Sequence, residues 1–284
     1  MITVQDLCYG YDKNGDQVLD GISLEIPKGT YVGVIGANGC GKTTFVRHLN
    51  GLLTPTTGEV WVEGMSTRDT RAIQEIRQRV GMVFQNPDNQ IVGMSVEEDV
   101  AFGPGNLRLN PMEIQERVAA ALTVVGMKDY AQRAPHTLSN GEKQLVAIAG
   151  VLAMRPRCII LDEPTTYLDP SARQRILDVA VRLHQEGITI IHVTHDMDEV
   201  AGADKIVVMN GGRVHMEGSP SEVFARVEWL RVLGVGIPRV TELLWRLRGE
   251  GVDVRTDIFS PEEACRELCA LIRTRTANHS PPDN

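Results

Sequence analysis

The segment Gly36-Ala37-Asn38-Gly39-Cys40-Gly41-Lys42-Thr43 constrains the fold of this chain more than any other feature. It follows the apolar run Tyr31 to Ile35 and precedes the helix-compatible stretch Thr43 to Leu52, so the sequence predicts strand, loop and helix in that order. In that context the pattern G-x-x-x-x-G-K-[ST] is typical of a loop that wraps a phosphate. Glycines let backbone N–H groups approach the anion, and the following helix presents its positive end to it. A glycine-rich turn with a chance lysine is the alternative, which the flanking strand and helix disfavour.

Two side chains of this loop suit a nucleoside triphosphate and its metal. We expect Lys42 to neutralise the β- and γ-phosphates and the Thr43 hydroxyl to bind Mg²⁺, whose octahedral shell takes oxygen ligands. The sequence therefore predicts ATP and Mg²⁺ as cofactors. The predicted nucleotide contacts of the loop are Gly36, Ala37, Asn38, Gly39, Cys40, Gly41, Lys42, Thr43 and Thr44.

Over about the first 225 residues, short apolar runs alternate with segments of helical period, which is typical of an α/β fold. The runs Cys158 to Leu161 and Ile188 to Val193 lack polar alternation and predict strands of a parallel sheet buried on both faces. A helical insertion is expected between about residues 95 and 150. Gly211-Gly212, between two strand-like runs, predicts a β-hairpin turn.

Candidate catalytic residues follow two of these buried runs. Asp162 and Glu163 come where the first run ends, within reach of a metal on a neighbouring phosphate loop. We expect Asp162 to hold the metal and Glu163 to polarise the attacking water. Acids also flank strands as solvated ends, and the phosphate loop is what favours the catalytic interpretation. His195 follows the second run, where an imidazole could bond the γ-phosphate, whereas the other six histidines are assigned no chemistry.

Length and composition limit the remaining possibilities. The 284 residues accommodate one large core and a smaller appendage, and 42% hydrophobic content is ordinary for a globular chain. A formal net charge of −8 without a basic cluster disfavours a nucleic-acid partner. No apolar run reaches the roughly 18 residues of a membrane span, and no secretory leader is visible, so we expect a cytosolic chain. Five cysteines without zinc spacing predict neither a disulfide framework nor a metal site, and Cys265 and Cys269 are expected to pack one helical turn apart.

Leu138-Ser139-Asn140-Gly141-Glu142-Lys143-Gln144, together with the motifs above, resembles the signature of ABC-type ATPases. The motifs occur in that family's order over residues 1 to about 225. The resemblance implies an α/β P-loop NTPase core with an antiparallel β subdomain, a helical signature subdomain at about 95–150 and a small C-terminal α/β or α extension at 226–276. That extension is a possible dimerisation element or a solvated helical cap, and residues 277–284 are predicted to be a disordered tail.

In such ATPases two domains enclose two ATP molecules, so Ser139 and Gly141 are expected to contact the nucleotide of a second subunit, identical or different. Ser-x-x-Glu is also a plain capping box, and both interpretations can hold together. The resemblance further implies that Gln85 links Mg²⁺ and the attacking water to the transporter contact. It places Asp169 in a loop between the two sites, and Tyr11 on the adenine, with Tyr9 as the alternative.

The stretches Phe84 to Gln90 and Val96 to Pro104 are similar to the ATPases of energy-coupling factor (ECF) importers. This similarity implies a subunit bound peripherally at the cytoplasmic face of the cell membrane. Its partners would be a second ATPase, a membrane T component and, indirectly, an S component that binds a vitamin or transition-metal ion. The expected activity is ATP hydrolysis that drives uptake. A soluble ABC ATPase of DNA repair or translation, and a non-hydrolysing regulatory subunit, are the alternatives.

Five residues depart from the usual family pattern, one of them Leu145, which replaces a common arginine. The signature usually reads Leu-Ser-Gly-Gly-Gln, so Asn140 and Glu142 are substitutions, and Glu142 brings negative charge near the partner's nucleotide. Cys40 replaces a frequent serine in the phosphate loop, and Tyr167 adds bulk to the loop between the sites. We therefore expect a chain that keeps its own catalytic residues and offers its partner a weakened signature.

Overall fold

A six-stranded sheet forms the centre of the protein, in a computed structural model that describes residues 1–12 and 16–277, with side chains to residue 273. Its strand order is β10-β9-β3-β8-β7-β6, with β3, β6, β7, β8 and β9 parallel and β10 antiparallel to β9. The strands are β3 (Tyr31–Gly36), β6 (Val80–Val83), β7 (Cys158–Asp162), β8 (Thr189–Val193), β9 (Lys205–Asn210) and β10 (Arg213–Gly218). The predicted parallel strands and hairpin are thereby confirmed, and Gly211 and Gly212 both have positive φ at the turn, as a type I′ turn requires.

A second, four-stranded sheet is antiparallel throughout, with strand order β2-β1-β4-β5. Its strands are β1 (Ile2–Tyr9), β2 (Leu19–Ile26), β4 (Thr57–Val62) and β5 (Met65–Ser66). The antiparallel subdomain implied by the resemblance is therefore present.

Most helices of the first 225 residues begin at polar caps that the sequence supplies, whereas the first two do not. Ser95, Asn110, Ser139 and Asp169 each accept backbone N–H bonds at the start of a helix. Three of these helices fill the predicted helical insertion. The helices are α1 (Lys42–Leu49), α2 (Ile73–Arg79), α3 (Val96–Asn106), α4 (Pro111–Val124), α5 (Asn140–Leu152), α6 (Pro170–Gln185) and α7 (Pro220–Phe224).

The central sheet separates two apolar cores, because successive side chains of a strand point to opposite faces. Ile159 and Leu161 of β7 pack with the helical insertion, whereas Cys158 and Ile160 pack with the antiparallel sheet and α1. All five residues of β7 are buried, which explains why the strand is apolar without alternation. Because β6, β7 and β8 run parallel, the polar residues that follow them emerge at the same edge of the sheet.

The described chain beyond Gly218 contains helices and no strand: α7, then α8 (Val227–Val232), α9 (Arg239–Gly249) and α10 (Pro261–Ala277). Val227, Leu230, Val235 and Ile237 lie in the larger core, together with residues of the helical insertion and the central sheet. A separate small core begins after them, with Leu244, Val254, Ile258 and Ala264 buried. The predicted tail lies outside the described residues from residue 278 onward.

The expectation that two cysteines of the C-terminal part pack into the core was wrong. Cys265 and Cys269 lie one turn apart on α10, but both are exposed. The helix directs Ala264, Leu268 and Leu271 to the small core instead, and a side chain one position further along a helix points about 100° away. In the described part of the chain, no helix combines the length and apolar character needed to cross a membrane.

Candidate active site

The phosphate loop leaves β3 at Gly36 and enters α1 at Lys42. A Cβ on Gly36 would lie 2.3 Å from the carbonyl oxygen of Met209, so only glycine fits there. Gly41 caps α1 in a left-handed conformation with φ 101°. The first turn of α1 contains no acidic side chain, so its N-terminal N–H groups remain suited to an anion.

Lys42 and Cys40 fill the interior of this loop. Lys42 is 5% exposed, and its Nζ donates to the carbonyl oxygens of Gly36, at 2.8 Å, and Ala37, at 3.2 Å. The ammonium therefore lies at the centre of the loop. Cys40 is buried in the core, and burial raises the pKa of its thiol although Lys42 lowers it. The neutral thiol is only a weak donor, as expected from the replacement of serine.

Thr43 and Asp162 place two oxygen atoms beside the loop. The Thr43 hydroxyl donates to Asp162 Oδ1 at 3.0 Å, joining the start of α1 to the end of β7. Burial raises the pKa of Asp162, against the lowering effect of the Thr43 hydrogen bond. A hydroxyl and a carboxylate next to a phosphate-binding loop are the hard oxygen donors that Mg²⁺ takes, so these residues fit that ion.

Gln85, Glu163 and His195 meet at one carboxylate oxygen. Gln85 Nε2 donates to Glu163 Oε2 at 3.2 Å, and His195 Nδ1 lies 3.4 Å from the same oxygen. The three residues follow β6, β7 and β8, which are neighbours in the sheet, and the crevice beyond the carboxyl ends of such strands is where α/β proteins bind ligands. Glu163 has φ +49°, and its N–H donates to the carbonyl oxygen of Val193 at 2.9 Å. The sequence-predicted catalytic residues are thus in contact.

Tyr11 lies at the far end of the phosphate loop, where its hydroxyl is 3.0 Å from Thr44 Oγ1. Its ring is exposed, whereas Tyr9 packs edge-on against both Tyr11 and His48. Tyr11 is therefore the tyrosine whose face is available to a base, and its contact with adenine stays a prediction.

The structure does not bring the signature residues into hydrogen-bond contact with the phosphate loop. Within the described residues, Ser139 forms its hydrogen bonds with its own helix, in a complete capping box with Glu142. The Ser139 backbone N–H bond holds the pKa of Glu142 below its usual value, against the effect of partial burial. Gly141 lies against α6, where a Cβ would be 2.5 Å from that of Ala172. Asp169 caps α6 through the N–H groups of Ser171 and Ala172.

An apolar groove of about 320 Å³ lies between α3, α5 and the segment after β6. Its rim exposes Val92 and Phe102. Asp99 is buried and accepts the backbone N–H bonds of Val92 and Gly93 at 2.7 and 2.9 Å, which fixes this rim.

Sequence reasoning missed a buried polar cluster behind the catalytic edge, made of Thr165, His192, Thr194 and Glu199. An acid in Asp-Met-Asp-Glu has the composition of a solvated turn, so nothing in the sequence singles out Glu199. A second missed contact joins Lys143 on α5 to Asp88 at 2.7 Å. The sequence offered one indication of this contact: Asp88 lies in the stretch Phe84 to Gln90 and Lys143 in the signature segment.

The ABC transporter family model matches residues 19–166. The chain is 55% identical over 270 residues to the cobalt import ATP-binding protein CbiO of Syntrophus aciditrophicus, covering 95% of this chain and 96% of that one. It is 48% identical over 276 residues to the energy-coupling factor transporter ATP-binding protein EcfA1 of Clostridium perfringens, covering 95% and 98%. The structure of cbiO1 from Clostridium perfringens, part of the ABC transporter complex cbiONQ, is similar with TM-score 0.74 and 40% identity, covering 86% of this chain and 98% of that one.

Proposed function

The chain belongs to the ABC transporter family, and from this premise we propose that it is the ATP-binding and ATP-hydrolysing subunit of an ECF-type importer. The observation that carries the proposal is the contact of Gln85, Glu163 and His195 beside the Thr43–Asp162 pair. Phosphate-binding, metal-binding and water-activating groups are there adjacent at one edge of a rigid sheet. That arrangement suits hydrolysis of a phosphoanhydride.

In this proposal the backbone N–H groups of residues 36 to 44 bind the phosphates, and Lys42 turns from its loop carbonyls to the β- and γ-phosphates. Thr43 and Asp162 would hold Mg²⁺, which supplies Lewis-acid charge for the transferring phosphoryl group. Glu163 accepts a proton from the attacking water, which Gln85 orients. His195 donates to the γ-phosphate, and Tyr11 stacks on adenine.

A second ATPase subunit, identical or different, completes each site. Ser139 caps the 13-residue helix α5, and among the described residues its hydrogen bonds stay within that helix and do not reach the chain's own phosphate loop. The positive end of that helix is suited to the γ-phosphate bound by a partner. Its carboxylate, Glu142, makes it a weaker anion site than the usual signature.

The groove beneath Val92 and Phe102 fits the apolar face of a helix, and we assign it to a membrane T component. The subunit would then lie peripherally at the cytoplasmic face of the membrane. Cargo would be bound by a separate S component, which this chain meets only indirectly. CbiO in the relative's name refers to cobalt import, and a transition-metal ion or a vitamin is the cargo class proposed for this system.

The test is Mg²⁺-dependent phosphate release by the full chain, alone and with the membrane proteins that co-purify with it. Lys42→Ala should abolish ATP binding, whereas Glu163→Gln should retain binding and lose turnover. Glu59→Gln, in strand β4 of the antiparallel sheet, removes the same charge outside the site, and its ATP binding and turnover should equal those of the unchanged protein. ATP binding without turnover under every condition would favour a regulatory subunit instead, and co-purification of nucleic acid without a membrane protein would favour a soluble ATPase.

A further inference from the structure

Glu199 is a carboxylate in the protein interior, with its side chain 2% exposed. It accepts hydrogen bonds from the hydroxyls of Thr165, at 2.6 Å, and Thr194, at 2.7 Å. Both threonines are themselves buried. Each carboxylate oxygen takes one of the two hydroxyls, so this single group joins two segments that are 29 residues apart in the chain.

Those two segments carry the catalytic residues. Thr165 lies two positions after Glu163, in the loop that leaves β7. Thr194 directly precedes His195, in the loop that leaves β8. The separation between Glu163 and His195, 3.4 Å, therefore depends on two loops that are tied to the same buried group.

Glu199 is ionised, which fixes the direction of both threonine hydrogen bonds. Burial alone would raise the pKa of its carboxyl group, but the His192 contact and the two threonine hydroxyls hold the pKa at about 2. A carboxylate only accepts hydrogen bonds, so both threonines must donate to it. Releasing either one leaves a charged oxygen without its partner in the core. His192 Nε2 lies 3.4 Å from Glu199 Oε2 without hydrogen-bond geometry, and its Nδ1 is 2.8 Å from the Tyr31 hydroxyl.

The turn that carries Glu199 is fixed from both sides. Arg173 on α6 donates to Asp196 at 2.6 Å, and its Nε lies 3.7 Å from Glu199, where it acts through charge. Arg239, the first residue of α9, donates its backbone N–H to Asp198 at 2.9 Å and pairs with the same carboxylate through its guanidinium. Glu199 lies five residues after Thr194 in the loop that leaves β8, and the contacts with α6 and α9 anchor that loop at its far end.

We propose that Glu199 is a positioning residue for ATP hydrolysis, which sets the relative placement of Glu163 and His195 through Thr165 and Thr194. The proposal rests on the function proposed above, because it assumes that Glu163 and His195 act on ATP. Glu199 itself contacts neither of them. A misplacement of the order of 1 Å at a reacting centre can cost about 100-fold in rate, so a loosened loop is expected to reduce kcat.

The experiment compares Thr165→Val and Thr194→Val with Thr165→Ser and Thr194→Ser in the full chain. Valine keeps the shape and removes the hydroxyl, whereas serine keeps the hydroxyl. We expect each valine variant to lower kcat about tenfold while KM for ATP and nucleotide affinity stay within about twofold, and each serine variant to restore kcat. Thr241→Val is the matched control, since Thr241 is equally buried and donates one 2.7 Å hydrogen bond, to the Ile258 carbonyl oxygen in the C-terminal core.

Thermal unfolding of every variant separates positioning from stability. A loss of kcat in the valine variants but not the serine variants, at unfolding temperatures equal to that of Thr241→Val, supports the role of Glu199. Unchanged kcat in both valine variants, or an equal loss in the serine variants, overturns it while ATP hydrolysis by the unchanged protein stands. Absence of hydrolysis by the unchanged protein overturns the proposed function and this inference together.

Discussion

Glu142→Gln should strengthen ATP-driven pairing of this subunit. Glu142 Oε2 accepts the Ser139 backbone N–H at 2.8 Å and the Ser139 hydroxyl at 3.0 Å. The hydroxyl proton that a partner's γ-phosphate would use is thus already committed to a carboxylate. Glutamine keeps an oxygen acceptor for the capping box and removes the charge.

The geometry bounds the size of this effect. A phosphate oxygen accepting from Ser139 would lie about 2.8 Å from its hydroxyl, so phosphate and carboxylate would be at most about 6 Å apart. At that distance two unit charges repel by about 0.7 kcal/mol in water and about 3 kcal/mol at an effective dielectric constant of 20. The site is partly exposed, and we expect about 1 kcal/mol, which is roughly a fivefold gain in affinity.

The assay is the ATP concentration that half-saturates pairing, followed by light scattering in a Glu163→Gln background that prevents turnover. Glu222→Gln is the matched control, because Ser219 and Glu222 form the same capping box on α7. The gain should shrink between about 0.1 and 1 M salt, as the Debye length falls from about 10 to 3 Å. Pairing that is unchanged or weaker in a fully folded Glu142→Gln protein, or a gain that Glu222→Gln reproduces, would refute the reasoning.

Three further outcomes are expected. Burial raises the pKa of Asp162, so above the unfolded pKa of 3.8 its charge opposes folding. Asp162→Asn should therefore raise the unfolding temperature of the nucleotide-free chain at pH 7, measured by calorimetry. The same variant should abolish Mg²⁺-dependent turnover. Burial lowers the pKa of His48 to about 4, so the free energy of unfolding should fall by about 3 kcal/mol as the pH drops from 6.5 to 4. Denaturant titration should find no such fall in His48→Asn. Phe102→Ser should prevent co-purification of the membrane partner and leave ATP binding intact, whereas Met112→Ser, at an exposed position on α4 outside the groove, should change neither co-purification nor ATP binding.

The phosphate loop and the parallel strands could be predicted because their constraints are local. A backbone that approaches an anion needs glycine at fixed spacing, and a strand covered on both faces needs consecutive apolar residues. The order of β7 and β8 in the sheet then places Glu163 and His195 at one edge. The capping box at Ser139 is local in the same sense.

Glu199 could not be predicted because its environment comes from elsewhere in the chain. Thr165 and Thr194 reach it from the ends of two strands, and only the assembled sheet buries all three. The placement of Val227 to Ile237 has the same origin. Their apolar period predicts burial, but only the fold decides that they join the core of the ATPase part. The exposed side of α10 depended likewise on where the small core lies.

The departures from the family pattern are unevenly distributed in space. In the chain's own half-site Lys42, Thr43 and Asp162 fit the expected roles and Cys40 is the departure, whereas Asn140 and Glu142 lie at the helix start offered to a partner. In a pair of identical chains, Glu142 would weaken both sites equally, and Glu142→Gln would improve both. In a pair with an unlike subunit that carries the usual signature, only the site holding the partner's ATP would improve, and binding would change from two affinities towards one. The shape of the ATP saturation curve before and after Glu142→Gln therefore distinguishes the two kinds of pair.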